Sequence, residues 1–223
     1  MTVPEPAGSR QRTRLPRGQR RALLLEAALS AFSEQGYHQT AMDDIAERAG
    51  VSKPVLYQHF DSKLDLYLAI AGRVRTEVVE TVEDALASTH DNAERISATI
   101  DAYFEFVDRP GSGYPLIMAS DMGSEPAVAA VLEQVQQACA EAVGRVIQEE
   151  TGLAWSECVL LGAALVGQVQ SAARHWYESS SELPRQQAAE LVRTVVWRGI
   201  GFMPRIDGDQ GDGTGDGADR PSG

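Results

Sequence analysis

In the stretch TAMDDIAERAGVSKPVLYQHFDSK, from Thr40 to Lys63, the residues Lys53, Tyr57, Gln58 and His59 gather hydrogen-bond donors and positive charge in one short segment. Such side chains touch phosphates and base edges, so the chemistry they suggest is recognition of duplex DNA. Bond-making chemistry finds less support. Cys139 and Cys158 are the two cysteines, both on apolar helical faces, and read as reduced core thiols. His38, His59, His90 and His175 are scattered without metal-ligand spacing or a nucleophile beside them. No glycine-rich phosphate loop is present, and the chain is expected not to be an enzyme.

Presenting those donors requires two short helices and a tight turn. Thr40, with Asp43 three residues on, has the form of a capping box, and Ile45, Ala46 and Ala49 give an apolar stripe behind it. Gly50 can take the left-handed conformation that ends the first helix, and Ser52 is placed to cap the second. Pro54 falls in the first turn, where its missing N–H costs nothing. Val55, Leu56 and Phe60 then point inward, leaving Lys53, Tyr57, Gln58 and His59 outside. This is a helix-turn-helix pattern.

Around it, helical periodicity continues throughout. Leu23, Leu24, Ala27, Ala28, Ala31 and Phe32 predict a helix from Pro16 to Glu34 that packs behind the pair. Ser62 with Asp65 caps a long helix running through Val82 or beyond. Asp91 opens another, with Ile96, Ile100, Tyr103, Phe104 and Val107 on one face. A short apolar piece from Tyr114 to Met122 precedes a helix from Glu125-Pro126 to Thr151-Gly152. Of the last two, 155–177 is rich in small residues that permit close approach of a neighbour, and the other begins at Pro184. No strand-like alternation appears, so the fold class is all-α. The expected domains are a disordered basic arm (1–15), the helix-turn-helix head (16–63), a helical second domain (64–205) and a disordered acidic, glycine-rich tail (206–223).

The net charge of −12 opposes nucleic-acid binding until its distribution is examined. Residues 1–63 carry nine basic and seven acidic residues, a net of +2, and the remainder carries −14. The positive end is therefore the end with the helix-turn-helix. With 43% hydrophobic residues, no apolar run long enough for a membrane span and no apolar leader, a cytoplasmic location is expected.

From Arg20 to Leu68 the chain resembles the TetR family of regulators: Phe32, Gly36-Tyr37, Thr40, Asp44-Ile45-Ala46, Ala49-Gly50-Val51-Ser52, Leu56-Tyr57-Gln58-His59-Phe60 and Lys63 stand at that family's spacing. The resemblance implies a dimer that places the second motif helix in the major groove and reads two half-sites of a palindromic operator. On that basis Lys53 and Pro54 become base readers, Gln58 a further candidate, and Tyr57, His59, Thr40 and Lys63 phosphate clamps, with Ser52 at the helix start. It also implies a helical domain that binds a small molecule and dimerises through its last two helices, where Trp176 and Trp197 are candidate anchors. Within the family, Gly36-Tyr37-His38, Ser52 to Phe60, Gly113-Tyr114-Pro115-Leu116-Ile117 and Glu125-Pro126 are similar to the subgroup that senses long-chain acyl-CoA and controls fatty-acid synthesis. No cofactor is expected beyond such an effector. The candidate ligand residues are Ile100, Tyr103, Phe104, Ile117, Met118, Met122, Val135 and Cys139, a lining suited to a small hydrophobic ligand. Arg95, Arg109 and Arg145 are candidates for meeting its charged end. The alternative keeps the family and changes the signal, to a drug or antibiotic sensor repressing an efflux gene.

Overall fold

The computed structural model describes residues 16–118, 121–179 and 182–201, so the basic arm and the acidic tail fall outside the described residues. Within them the regular elements are all helical. They are α1 (Arg17–Gln35), α2 (Met42–Arg48), α3 (Lys53–Tyr57), α4 (Lys63–Ala87), α5 (Asn92–Asp108), α6 (Tyr114–Met118), α7 (Pro126–Thr151), α8 (Trp155–Glu178) and α9 (Arg185–Gly201), with a 3-10 turn at Asp121–Ser124 before α7.

The head closes over a core to which each helix contributes a few buried side chains: Leu24, Ala28 and Phe32 from α1, Ile45 and Ala46 from α2, Leu56 from α3 and Phe60 beyond it. Its packing runs past Lys63. Leu66, Tyr67 and Ile70 of α4 are fully buried, and Tyr67 meets Phe32 and Tyr37 with ring centroids 5.8 and 5.2 Å apart. The same 25-residue helix then continues into the second domain, a rod about 37 Å long at the α-helical rise.

Gly50 takes φ +65° and turns the chain out of α2 as expected. The start of α2 differs from the expected box by one residue. Ala41 is the N-cap, and its N–H donates to Asp44 Oδ2 at 3.0 Å, so Asp44 does what Asp43 was expected to do. Thr40 instead turns inward, 1% exposed, its hydroxyl donating to Gly36 O at 2.8 Å, a carbonyl just past the end of α1. Helix ends leave carbonyls without partners, and a hydroxyl close in sequence satisfies one. Ser52 is the N-cap of α3 by position, yet its hydroxyl makes no capping bond. At α4 the cap is fully formed: Ser62 Oγ accepts from the Asp65 N–H at 3.0 Å.

In the second domain α7 and α8 form an antiparallel pair that touches backbone to backbone. A Cβ on Gly162 would lie 2.3 Å from Ala140 O, and one on Gly144 would lie 3.3 Å from the Cys158 carbonyl. Some of the small residues of α8 therefore serve this internal crossing. Others face outward: Leu160, Ala164, Gln168, Ser171 and His175 recur at helical spacing and are exposed, and Gly167 has open space beyond its α-carbon.

The short α6 wedges between the domains. Gly113 enters it with φ +73°, where any Cβ would be 2.7 Å from Val74 Cγ2 of α4 and 3.5 Å from Leu29 Cδ1 of α1. Tyr67 donates to Leu116 O at 2.5 Å, so α4 grips α6 where both meet the head.

Candidate functional site

On the head, Lys53, Pro54 and Tyr57 stand exposed on one short helix, with Gln58 exposed at its C-cap and His59 half-buried just beyond. The helix can present them because Leu56 is wholly buried beneath and Pro54 sits in the first turn. Lys53 is held by Asp43 of α2, Nζ to Oδ1 2.8 Å, and that carboxylate raises its pKa. Both side chains are more than half exposed, so the pair is loose and a phosphate or base edge can compete for the ammonium.

Two of the expected phosphate clamps are committed elsewhere. Thr40 points into the protein, as described above. Lys63 donates to the carbonyls of Tyr37, His38 and Thr40 at 2.8, 3.3 and 3.0 Å, and lies 4.5 Å from the centre of the Tyr37 ring. An ammonium has three donors, and all three are used. Lys63 thus staples the α1–α2 loop to the start of α4, a role visible only once the loop has folded back on it.

Near the end of α3 the fold brings up arginines from the first turns of α1. Arg21 stacks over Phe60, 4.6 Å from the ring centre. Burial of the imidazole, with the charges of Arg17, Arg20 and Arg21 adding to it, lowers the pKa of His59 from its ordinary value. These arginines border the reading helix. In the sequence they counted toward the head's positive charge, but their distance from the motif hid where they would stand.

The second site is a cavity of about 80 Å³ in the other domain, lined by residues of α4, α5, α7, α8 and α9. Ile100, Tyr103 and Cys139 line it as expected. Phe104, Ile117, Met118, Met122 and Val135 do not. Phe104 packs on Trp176 with ring centroids 5.6 Å apart, Ile117 and Met122 are buried around α6 and its following turn, Met118 packs partly buried against the same core, and Val135 is sealed in it. Apolar spacing marks the buried face of a helix without telling core from cavity. The lining is completed by Val82, Leu86, Ile96, Val143, Leu165, Val166, Val169 and Val196, with Thr99 and Gln170 as polar members. Those two are the missed signal, since each interrupts an otherwise apolar stripe. Burial pushes the Cys139 thiol up to about 12, which keeps it protonated and inert.

The three arginines expected to meet a charged ligand are each paired with a carboxylate. Arg95 reaches Glu150 at 3.2 Å and also donates to Thr89 O, Arg109 meets Glu77 at 2.7 Å, and Arg145 meets Glu83 at 2.8 Å. They tie helices together.

A third surface lies on the last two helices. Leu160, Leu191 and Val195 are 70, 54 and 66% exposed, apolar side chains of a kind that mark an interface, whereas Trp197, one expected anchor, stands on the side of α9 that faces Ala93 and Ser97 of α5. Trp176, the other expected anchor, is engaged within the chain, its indole N–H donating to Leu183 O at 2.9 Å.

Comparison with known proteins places these features in a group. Residues 24–70 match the description "Bacterial regulatory proteins, tetR family", and residues 92–199 match "Tetracyclin repressor-like, C-terminal domain". The HTH-type transcriptional activator FasR of Mycolicibacterium smegmatis is 41% identical over 88% of this chain and 90% of its own length. A TetR-like transcriptional regulator from Rhodococcus superposes with a TM-score of 0.66 at 27% identity, covering 85% of this chain and all of that one. The transcriptional regulator FadR of Bacillus subtilis, solved in complex with stearoyl-CoA, shares the fold with a TM-score of 0.63 at 17% identity, over 78% of this chain and 96% of that one. Among the described residues no helix is long and apolar enough to cross a membrane.

Proposed function

The chain belongs to the TetR family of bacterial regulatory proteins, and from that premise we propose that it is an activator whose hold on a palindromic operator is set by a long-chain acyl ligand. It is a DNA-binding transcriptional regulator and not an enzyme. TetR regulators bind DNA as dimers, and here the dimer forms through the apolar patch of α8 and α9, building a four-helix bundle about a two-fold axis. The two reading helices then face successive major grooves roughly 34 Å apart. Lys53 and Pro54 read base edges, with Gln58 beside them. Tyr57, His59 and the arginines of α1 fix the register on phosphates.

The observation that carries the ligand reading is the cavity, walled mostly by aliphatic side chains. FadR, of the same fold, holds stearoyl-CoA, and FasR, similar over nearly its whole length, is named an activator. At about 80 Å³ the cavity is well below the roughly 300 Å³ or more of ordinary ligand pockets, so a long chain enters only by spreading its walls. Tyr103 stands in that wall, with Tyr114 of α6 packed edge-on at 6.2 Å, and α6 is pinned between α1 and α4. Displacement of α5 thus bears on the helix that joins the head to the rod. The ligand shifts the two heads by no more than its differential affinity for the two spacings.

Native mass spectrometry of the protein purified from its own host tests this reading. A bound mass corresponding to a long-chain acyl compound is expected. A bound drug-like aromatic molecule would replace it with the efflux-repressor reading.

A further inference from the structure

Four buried side-chain polar atoms lack a hydrogen-bond partner among the described residues, and three of them, Thr99 Oγ1, Tyr103 Oη and Gln170 Nε2, belong to residues lining this same cavity. They are set just behind its apolar surface, where they are uncovered as its walls spread. Leaving a polar group buried and unpaired costs on the order of 1–3 kcal/mol each, so three in one small space call for a partner. All three can donate: two are hydroxyls and the third is an amide nitrogen, which can do nothing else. Their complement is an oxygen acceptor.

Their placement also gives the cavity a direction. Thr99 and Tyr103 are one turn apart on α5. Gln170 and Arg174 are one turn apart on α8, which puts Arg174 on the same helical face just beyond the cluster. Arg174 is exposed and has no carboxylate partner among the described residues, unlike Arg95, Arg109 and Arg145, and its charge acts on both Tyr103 and Tyr114. Away from this corner the wall is Val82, Leu86, Ile96 and Val143, with nothing polar among them.

We propose that Thr99, Tyr103 and Gln170 form a subsite for the carbonyl oxygen of an acyl ligand, with the hydrocarbon running toward Val82 and Leu86 and the anionic end of the ligand lying beside Arg174. The proposal rests on the acyl reading above and adds to it which atom of the ligand is recognised and which way the ligand lies. The anionic end is either a free carboxylate or the phosphates of a coenzyme A thioester.

The test compares palmitoyl-CoA with S-hexadecyl-CoA, the thioether lacking only the carbonyl oxygen, by isothermal titration of the full-length protein. The wild type is expected to favour the thioester about tenfold, the worth of one well-made hydrogen bond to a buried site. In Thr99→Val and Gln170→Leu the preference should shrink toward unity, mainly through loss of thioester affinity. In Arg174→Ala both CoA compounds should weaken by a similar factor while their ratio persists. Palmitate, titrated alongside, identifies the source of the anion according to whether it or the thioester binds more tightly. Equal binding of thioester and thioether by the wild type, or an unchanged ratio in both cavity variants, overturns the subsite and leaves the acyl reading standing. Failure of the wild type to bind any of the three compounds overturns both. Operator affinity without ligand, measured on each variant, separates these outcomes from misfolding.

Discussion

The head and the cavity domain use their polar groups in opposite ways. In the head, polar groups close to the backbone are consumed by it: Thr40 caps the end of α1, Lys63 binds three carbonyls, and Asp44 and Ser62 hold helix starts. In the cavity domain, three donors stand buried and unsatisfied behind the apolar lining of the cavity. A reader of DNA profits from being built before its partner arrives, because ordering costs are then met by folding. A sensor needs a part whose contacts are completed by the ligand. The two halves meet at α6, wedged under Gly113, and along α4, whose first turns belong to the core of the head and whose remainder walls the cavity.

The harshest way to break this contrast is to disturb the packing that holds the cavity walls. Gly162→Val must place side-chain atoms where the backbone of Ala140 lies, and is expected to cost about 3 kcal/mol or more by urea denaturation. Gly167→Val on the same helix faces open space, and its effect should fall on the dimer in light scattering rather than on folding. Equal losses of stability in both would show that the two faces of α8 are not separate.

Next in size is Lys63→Met, which removes the staple between the α1–α2 loop and α4. A loss of about 2 kcal/mol in stability is expected. The salt dependence of operator binding should remain as in the wild type, because the donors of Lys63 are already spent on backbone carbonyls. A shallower salt slope with intact stability would return Lys63 to the DNA surface.

Much of this arrangement could be read in the sequence. The helices, the left-handed Gly50 and the outward set Lys53, Tyr57, Gln58 and His59 follow from periodicity and local capping, which act over a few residues. Lys63 could not be placed in that way, because its partners arrive only when the loop between α1 and α2 folds over α4. Thr40, whose partner Gly36 is only four residues away, is misplaced by the one-residue shift of the capping box. The arginines of α1 reach the end of α3 through the same tertiary closure. In the second domain the gap is wider. Phe104 and Val135 share the helical apolar pattern of Ile100 and Cys139, and only packing decides which of them face the cavity. The polar breaks at Thr99 and Gln170 were the distinguishing marks.

Smaller effects are expected where the head meets solvent. Lys53→Ala should weaken operator binding about tenfold in a gel-shift titration at fixed salt, with the dimer still folded. Asp43→Asn frees the same ammonium and should tighten binding a few-fold, within the modest range of exposed ion pairs. Weakened binding in Asp43→Asn would mean that the pair positions Lys53 instead of competing for it.

In the proposed mechanism a head built in advance is governed by a cavity completed by its ligand. Fluorescence anisotropy of the operator, titrated with the full-length protein in the presence and absence of saturating palmitoyl-CoA, tests it most directly. A loss of operator affinity between about fivefold and a hundredfold is the expected result, the range of ordinary coupling between sites. Unchanged affinity with palmitoyl-CoA demonstrably bound would contradict it.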